Sequence, residues 1–289
     1  MTTTAPVGEL VARLRLEGRL RAVAGSIADL TITGISDDSR RLAPGELFVA
    51  VPGLRVDGHD FVAEAVRRGA PAVVVEHAIS GVPAAIGQLT VDSAPKALAS
   101  AAAWWFGDPS RDLTVVGVTG TNGKTTTSFL AEAALEAVGW PTGLIGTIGI
   151  RVGSELRRNE VPNTTPGALE LQALLREMVG VGERAAVIET SSHGLAADRV
   201  ASVAYDAAIF TNLSHEHLDF HGTIEAYQAA KLSLFERLPA VAKDGRPGIG
   251  VVNIDDPAGE LFQAATRGSG ARAVTYGADP AADVRLLAL

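Results

Sequence analysis

Cysteine is absent from the 289 residues, which excludes disulfides and thiolate ligands and fits a reducing compartment. Aromatic residues are scarce, 5% of the chain against an apolar share of 47%. A core must therefore be built from alanine, valine and leucine, as in α/β proteins. Long apolar runs are missing as well. None approaches the ~20 residues of a bilayer span, and the N-terminus MTTTAPVGEL has no basic segment ahead of an apolar core. A soluble, cytoplasmic protein with no membrane partner is the expectation. Basic residues are outnumbered, 25 Lys and Arg against 33 Asp and Glu, for a net charge of −8. That argues against non-specific nucleic-acid binding but leaves room for one local basic pocket.

What is present centres on TVVGVTGTNGKTTTSFL, residues 114–130. A short apolar strand, 113–118, runs into a glycine-bearing turn, and Lys124 with a run of threonines opens an amphipathic helix. This is phosphate-binding architecture. Gly120 and Gly123 let the backbone approach a polyphosphate, and the N–H groups and positive dipole end of the helix favour the anion. Lys124 adds a mobile charge for the β- and γ-phosphates, and the Thr125 hydroxyl suits Mg²⁺. The usual pattern places glycine five positions before Gly123, where this chain has Val118; Gly117 is the nearest beyond. A glycine turn that binds nothing is the competing reading.

Ahead of the loop, residues 1–107 read as a small α/β domain. Its expected elements are a helix over 8–17, strands at 30–35 and 47–51, a turn at 52–58, a helix over 60–68 capped by Asp60, strands at 72–76 and 88–91, and a helix over 95–106. Gly107-Asp108-Pro109-Ser110 marks a boundary. Over 112–289, strands at 113–118, 143–147, 185–189, 207–211 and 249–253 alternate with helices, predicting a mostly parallel, P-loop ATPase-like sheet. Ligands of such sheets gather beyond the carboxyl ends of the strands.

Several residues could carry chemistry. Glu189 ends a strand at that edge, where a carboxylate could hold Mg²⁺; pairing with Arg199 is the alternative. Four of the six histidines lie within 180–222, three of them in His215-Glu216-His217-Leu218-Asp219-Phe220-His221. That run invites a zinc hydrolase reading, against which Phe220 separates Asp219 from His221. Asn163-Thr164-Thr165-Pro166 precedes a helix over 167–179. Ser36-Asp37-Asp38-Ser39-Arg40-Arg41 could meet an anion, although a solvated turn is the commoner use of such a run. His59 reads as structural. Lys231, in a helix over 224–238, reads by default as solvated.

Taken together, Gly120-Thr121-Asn122-Gly123-Lys124-Thr125-Thr126, Asp38-Ser39-Arg40, Asp57-Gly58-His59-Asp60-Phe61, Asn163-Thr164-Thr165-Pro166, Glu189-Thr190-Ser191-Ser192-His193-Gly194-Leu195 and Asn212-Leu213-Ser214 resemble the Mur ligases. These build the peptide stem of peptidoglycan, and the segments are most similar to the branch that adds its third residue. The family's loop also lacks the first glycine. The resemblance implies ATP and Mg²⁺ as cofactors, with UDP-MurNAc-dipeptide and a diamino acid, meso-diaminopimelate or lysine, as partners in an acyl-phosphate mechanism. It implies that Gly120, Thr121, Asn122, Gly123, Lys124, Thr125 and Thr126 bind the nucleotide. Ser39 and Arg40 would then hold the uridine end, and Asn163, Thr164, Thr165, Ser191 and Arg199 the muramoyl dipeptide. Thr125, Glu189, His217 and a carbamylated Lys231 would ligate metal, and Lys124, Glu189, His217 and Lys231 would serve catalysis. Glu216, where aspartate is usual, and Ala197, where glutamine is common, depart from the pattern. The family has three domains, so the resemblance also implies a chain without the third. A UDP-sugar-binding fragment and the next ligase of the pathway remain alternatives.

Overall fold

The computed structural model describes residues 4–53, 56–159, 163–214 and 216–287. The chain divides into two compact units, Met1–Asp108 and Pro109–Leu289.

The first unit runs β1 (Ala5–Pro6), α1 (Val7–Leu16), β2 (Leu20–Ala24), β3 (Thr31–Ile32), β4 (Gly34–Ser36), β5 (Glu46–Val49), α2 (Val62–Arg67), β6 (Ala72–Val75), β7 (Gly87–Val91) and α3 (Ala94–Trp105). Its five-stranded sheet has the order β2-β7-β6-β5-β4, parallel except where β2 meets β7. Phe48, Val73 and Val75 pack on Val62 and Ala65 of α2. The strand expected at 30–35 is divided: β3 pairs with β1, whereas β4 pairs with β5. The β2 edge strand escaped the sequence because LRAVA carries a polar residue without clean alternation. Asp57, not Asp60, caps the turn of helix ahead of α2, its carboxylate accepting from His59 N–H at 3.0 Å. Residues 54 and 55 of the expected turn lie outside the described residues.

The second unit continues with β8 (Thr114–Thr119), α4 (Lys124–Ala137), β9 (Thr142–Ile145), β10 (Gly149–Val152), β11 (Glu155–Arg158), α5 (Ala168–Gly180), β12 (Ala185–Glu189), α6 (Ser192–Ala196), β13 (Ala207–Phe210), α7 (Leu218–His221), α8 (Ile224–Glu236), β14 (Ile249–Asn253), α9 (Gly259–Gly268), β15 (Arg272–Gly277) and β16 (Val284–Arg285). Its sheet has the order β11-β10-β9-β12-β8-β13-β14-β15-β16, parallel from β9 to β16. The antiparallel β10–β11 hairpin was not expected. Period-two alternation assigns the two faces. Val116, Val118 and Val187 meet Ala131 and Leu135 of α4, while Val115, Ala186 and Ile188 join Leu175, Leu195, Leu234 and Phe262 on the other side. Gly117 points into the second layer, where a Cβ would come 2.8 Å from the Tyr205 ring and 3.1 Å from Leu234. This position thus has a packing reason to be glycine, while its neighbour Val118 is buried under α4. β8 is central, flanked by β12 and β13, so the loop after it opens at the middle of the carboxyl edge. No helix among the described residues is long and apolar enough to cross a membrane.

Candidate active site

β8 delivers Gly120 to Gly123 at that edge. Gly120 has φ +152°, and a Cβ on it would collide with Thr211 Oγ1; Gly123 has φ +80°, which glycine adopts without steric cost. Gly123 offers no side chain to cap α4, whose first turn holds no acid. The positive end of the helix thus faces the loop without a carboxylate of its own. The segment after β13 braces the loop. Thr121 N donates to Asn212 O at 2.8 Å and Asn122 N to Asn212 Oδ1 at 3.0 Å, while Thr211 Oγ1 and Asn212 Nδ2 donate to Asn122 O at 2.7 and 3.0 Å. The backbone geometry is therefore fixed before any ligand arrives.

Two lysines converge on one carbonyl of this loop. Lys124 Nζ donates to Gly120 O at 2.9 Å and Thr121 O at 2.8 Å, and Lys231 Nζ, from α8, donates to Gly120 O at 2.7 Å. Lys231 is only 1% exposed, so the solvated-lysine default is overturned. Burial, then the Lys124 charge, pull its pKa down to about 7 against the opposing pull of Glu216. Burial also lowers the pKa of Lys124, against Glu189 and Glu216.

Glu189, at the end of β12, is 0% exposed. Its Oε2 accepts from Thr125 Oγ1 at 3.1 Å and Thr147 Oγ1 at 3.0 Å, and its Oε1 from Thr147 N at 3.1 Å. A Cβ on Gly146 would run into Oε1, so glycine there makes room for the carboxylate. Arg199 does not pair with it. Its Nη1 donates to Thr165 O at 2.9 Å. Held by three neutral donors, a buried carboxylate is a costly anion that a hard, oxygen-seeking divalent cation would neutralise; Mg²⁺ fits this donor set. Among the described residues no three His, Asp or Glu groups meet closely enough to hold a metal unaided. Mg²⁺ that shares substrate phosphates needs no such cage.

Beside this carboxylate lies the threonine and serine group. Thr164 Oγ1 lies 3.1 Å from Thr147 Oγ1, whose proton goes to Glu189. Thr165 is buried, its hydroxyl donating to Glu189 O at 2.8 Å and accepting from Ser191 N at 2.9 Å. Ser191 Oγ caps α6 through Gly194 N at 3.1 Å, and Asn163 O accepts from Asn159 Nδ2 at 3.2 Å. Thr165 and Ser191 thus hold the framework together, and the charge they frame is Arg199. Burial lowers its pKa, and among the described residues no carboxylate offsets this.

His217 opens α7 at φ +57°, its ring 4.7 Å from His193 and 6.1 Å from Tyr227, with Glu216 Oε2 3.7 Å from Nε2. No hydrogen bond or ion pair among the described residues joins it to Glu189. His215 lies outside the described residues, as does any metal set that includes it. Asn122 and Thr126 are exposed, as nucleotide contacts would be, whereas the Thr121 side chain is buried and its hydroxyl turns inward.

In the first unit, Ser39 is buried with its hydroxyl donating to Glu64 Oε2 at 3.2 Å. Arg40 is bidentate on Asp38 at 2.9 and 2.8 Å and holds that carboxyl below the usual range. His59 proves to have a partner. Its Nε2 accepts from Glu76 N at 2.9 Å, which leaves the proton on Nδ1, 2.6 Å from Asp57 Oδ1. It is a neutral structural clamp, in keeping with the structural reading. Two site residues were not singled out from the sequence: Thr147, a polar residue closing an expected strand, and Tyr227, inside the expected helix over 224–238.

Residues 118–287 match the Mur ligase middle domain, and residues 31–105 the Mur ligase family, catalytic domain. The chain is 46% identical over 260 residues to a UDP-N-acetylmuramyl-tripeptide synthetase of Roseiflexus sp. (strain RS-1), covering 88% of this chain and 51% of that protein. It is 42% identical to a UDP-N-acetylmuramoyl-L-alanyl-D-glutamate--2,6-diaminopimelate ligase of Gloeobacter violaceus, covering 96% of this chain and 53% of the other. The chain therefore spans about half the length of the curated relatives it matches. Among solved structures, a UDP-N-acetylmuramoyl-L-alanyl-D-glutamate--2,6-diaminopimelate ligase superposes with a TM-score of 0.77 at 26% identity, over 97% of this chain and 54% of that one. A MurF ligase from Thermotoga maritima in complex with ADP superposes at 0.55 with 27% identity, over 85% of this chain and 50% of that one. The zinc hydrolase reading falls away, because the glycine loop, the carboxylate beside it and the matches across both units together identify the chain as a member of the Mur ligase family.

Proposed function

We propose that this chain carries the ATP and UDP-muramoyl-dipeptide sites of a ligase that adds a diamino acid, meso-diaminopimelate or lysine, to UDP-MurNAc-L-Ala-D-Glu. The observation that carries the reading is Glu189, a fully buried carboxylate that pairs with no Lys, Arg or His among the described residues and is held by Thr125 against the helix entry of the glycine loop. In this reading Gly120 to Thr126 cradle the triphosphate, with Asn122 and Thr126 exposed to it, and Lys124 leaves the loop carbonyls to meet the transferring phosphoryl group. Thr125, Glu189, His217 and Lys231, the last as its carbamate, would hold Mg²⁺. The bound ion supplies charge neutralisation at the γ-phosphate. The amine of Lys231, with its pKa near 7, has a populated neutral form open to carbamylation at physiological pH.

Arg199, with Asn163, Thr164, Thr165 and Ser191 around it, receives the anionic dipeptide and orients the D-glutamate side-chain carboxylate for in-line attack. Attack on the γ-phosphate gives an acyl phosphate and ADP. The incoming amine then adds to the acyl carbon, and the tetrahedral intermediate expels phosphate, so that each amide formed consumes one ATP. In the first unit the loop bearing Ser39 and Arg40 takes the uridine end, for which the contacts to Glu64 and Asp38 must open or be shared. ATP and the UDP-muramoyl dipeptide being soluble nucleotides and the diamino acid a soluble metabolite, the proposed reaction belongs in the cytoplasm.

Calorimetric titration of this chain with Mg·ATP and, separately, with UDP-MurNAc-L-Ala-D-Glu tests the proposal. Both are expected to bind, and Lys124→Ala is expected to lose the first and keep the second. Binding of the UDP ligand alone by the unaltered chain would reduce the proposal to a sugar-nucleotide module.

A further inference from the structure

Tyr227 is the largest fully buried side chain among the described residues, and it stands where three parts of the site meet. Its hydroxyl lies 2.9 Å from Thr121 Oγ1, inside the phosphate loop. Its ring lies 4.5 Å from Lys231 Nζ, one turn further along α8, and 5.3 and 6.1 Å from the rings of His221 and His217. Thr121 is in turn a junction. Its Oγ1 accepts from Ser214 N at 2.8 Å and its carbonyl accepts from Lys124 Nζ at 2.8 Å.

We propose that Tyr227 is a positioning residue for nucleotide binding: through Thr121 it pins the phosphate loop to α8, and through its ring it fixes the Lys231 amine against the same loop. The inference rests on the ligase reading above but assigns a role to a residue outside the expected nucleotide contacts. Physically, the loop has few ways to hold its conformation. Gly120 and Gly123 remove steric restraint, so the restraint must come from hydrogen bonds. Asn212 supplies them for Asn122 from the β13 side. On the α8 side Tyr227 supplies a side-chain bond of its own, beside that of Lys231 to Gly120 O, and both side chains are buried enough to exclude water, where such a bond is not exchanged with solvent. The ring adds a second restraint. A cation over an aromatic face is favoured, and the four-residue spacing on α8 sets tyrosine and lysine on one helix face, so a shift of the ring moves the amine as well.

The test compares nucleotide and UDP-ligand affinities, with melting points, for the unaltered chain, Tyr227→Phe, Thr121→Val and the double variant. Tyr276→Phe is the control, because its hydroxyl donates to Phe210 O at 3.1 Å and makes no phosphate-loop contact. Tyr227→Phe is expected to weaken Mg·ADP about three- to tenfold, the worth of one buried hydrogen bond, with UDP-MurNAc-dipeptide affinity unchanged. The double variant is expected to be no weaker than Thr121→Val, since both remove the same bond. Tyr276→Phe should leave Mg·ADP binding as it is. Equal Mg·ADP affinity in Tyr227→Phe and the unaltered chain would overturn the inference, as would additive losses in the double variant or a loss of both ligands together with a lower melting point. If the unaltered chain binds no Mg·ADP, the ligase reading itself fails, a result distinct from a Tyr227→Phe variant that binds as tightly as its parent.

Discussion

The sharpest single perturbation is Glu189→Gln, which removes a charge and keeps the shape. Two effects oppose each other in the ligand-free protein. Three donors now meet a neutral amide in place of a carboxylate, a loss of about 1 kcal/mol for each bond. Against this, a fully buried anion that pairs with no cationic side chain among the described residues is relieved of a desolvation penalty of several kcal/mol. The near balance predicts a ligand-free melting point within about 4 °C of the unaltered chain. With Mg·ATP the two proteins should separate. A unit charge about 4 Å from a divalent ion is worth roughly 8 kcal/mol gross at an effective dielectric constant of about 20. Ion dehydration offsets most of this, and a net loss of about 2.7 kcal/mol corresponds to a hundredfold in affinity. At a nucleotide concentration of about 100 Kd the unaltered protein gains about 2.7 kcal/mol, or roughly 5–10 °C, whereas the variant at the same concentration gains only about 0.4 kcal/mol, near 1 °C. Thermal melts with and without a non-hydrolysable Mg·ATP analogue read both quantities. A variant that keeps the full ligand shift refutes the assignment of Glu189 to the metal.

Gly120→Ala should weaken nucleotide binding by about tenfold or more and lower the melting point, because its Cβ collides with Thr211 Oγ1 and the braced loop has no room to yield; an unaltered affinity in titration would show that the loop shifts freely. Lys231 gives a pH signature. Its proton is held more weakly folded, at about 7, than at the ordinary 10.5, so between those values the unfolded chain binds more protons and stability rises with pH. In bicarbonate-free buffer Lys231→Met should therefore melt above the unaltered chain at pH 7, with the difference shrinking towards pH 10; a constant difference across that range contradicts the buried-amine account. Arg199→Lys keeps the charge but loses the planar fork that donates to Thr165 O. It should bind UDP-MurNAc-dipeptide about tenfold more weakly with Mg·ATP affinity unchanged, and equal losses for both ligands would point to a framework role instead.

Local pattern was enough to read the α/β class, the parallel run of β8, β12, β13 and β14, and the glycine turn between β8 and α4, because each depends on period, glycine placement and helix entry within a few residues. The sequence also carried the family, since its motifs recur as short contiguous words. What it could not carry were features that depend on partners far along the chain. β2 and the β10–β11 hairpin form because a neighbouring edge accepts them, not because their own residues alternate. Asp57 displaces Asp60 as a cap because of where the backbone turns. Lys231 is solvated by every local rule, and only the packing of α8 against the glycine loop, 111 residues away, buries it and lowers its pKa. The same packing makes Tyr227 a contact of Thr121, 106 residues away. The sequence by itself determined which chemical groups this protein possesses and the local conformations that present them. Tertiary structure alone decided which of those groups are dry, which share a partner and which charges stand without a counter-ion, because desolvation and convergence depend on what distant segments bring to the same few ångströms.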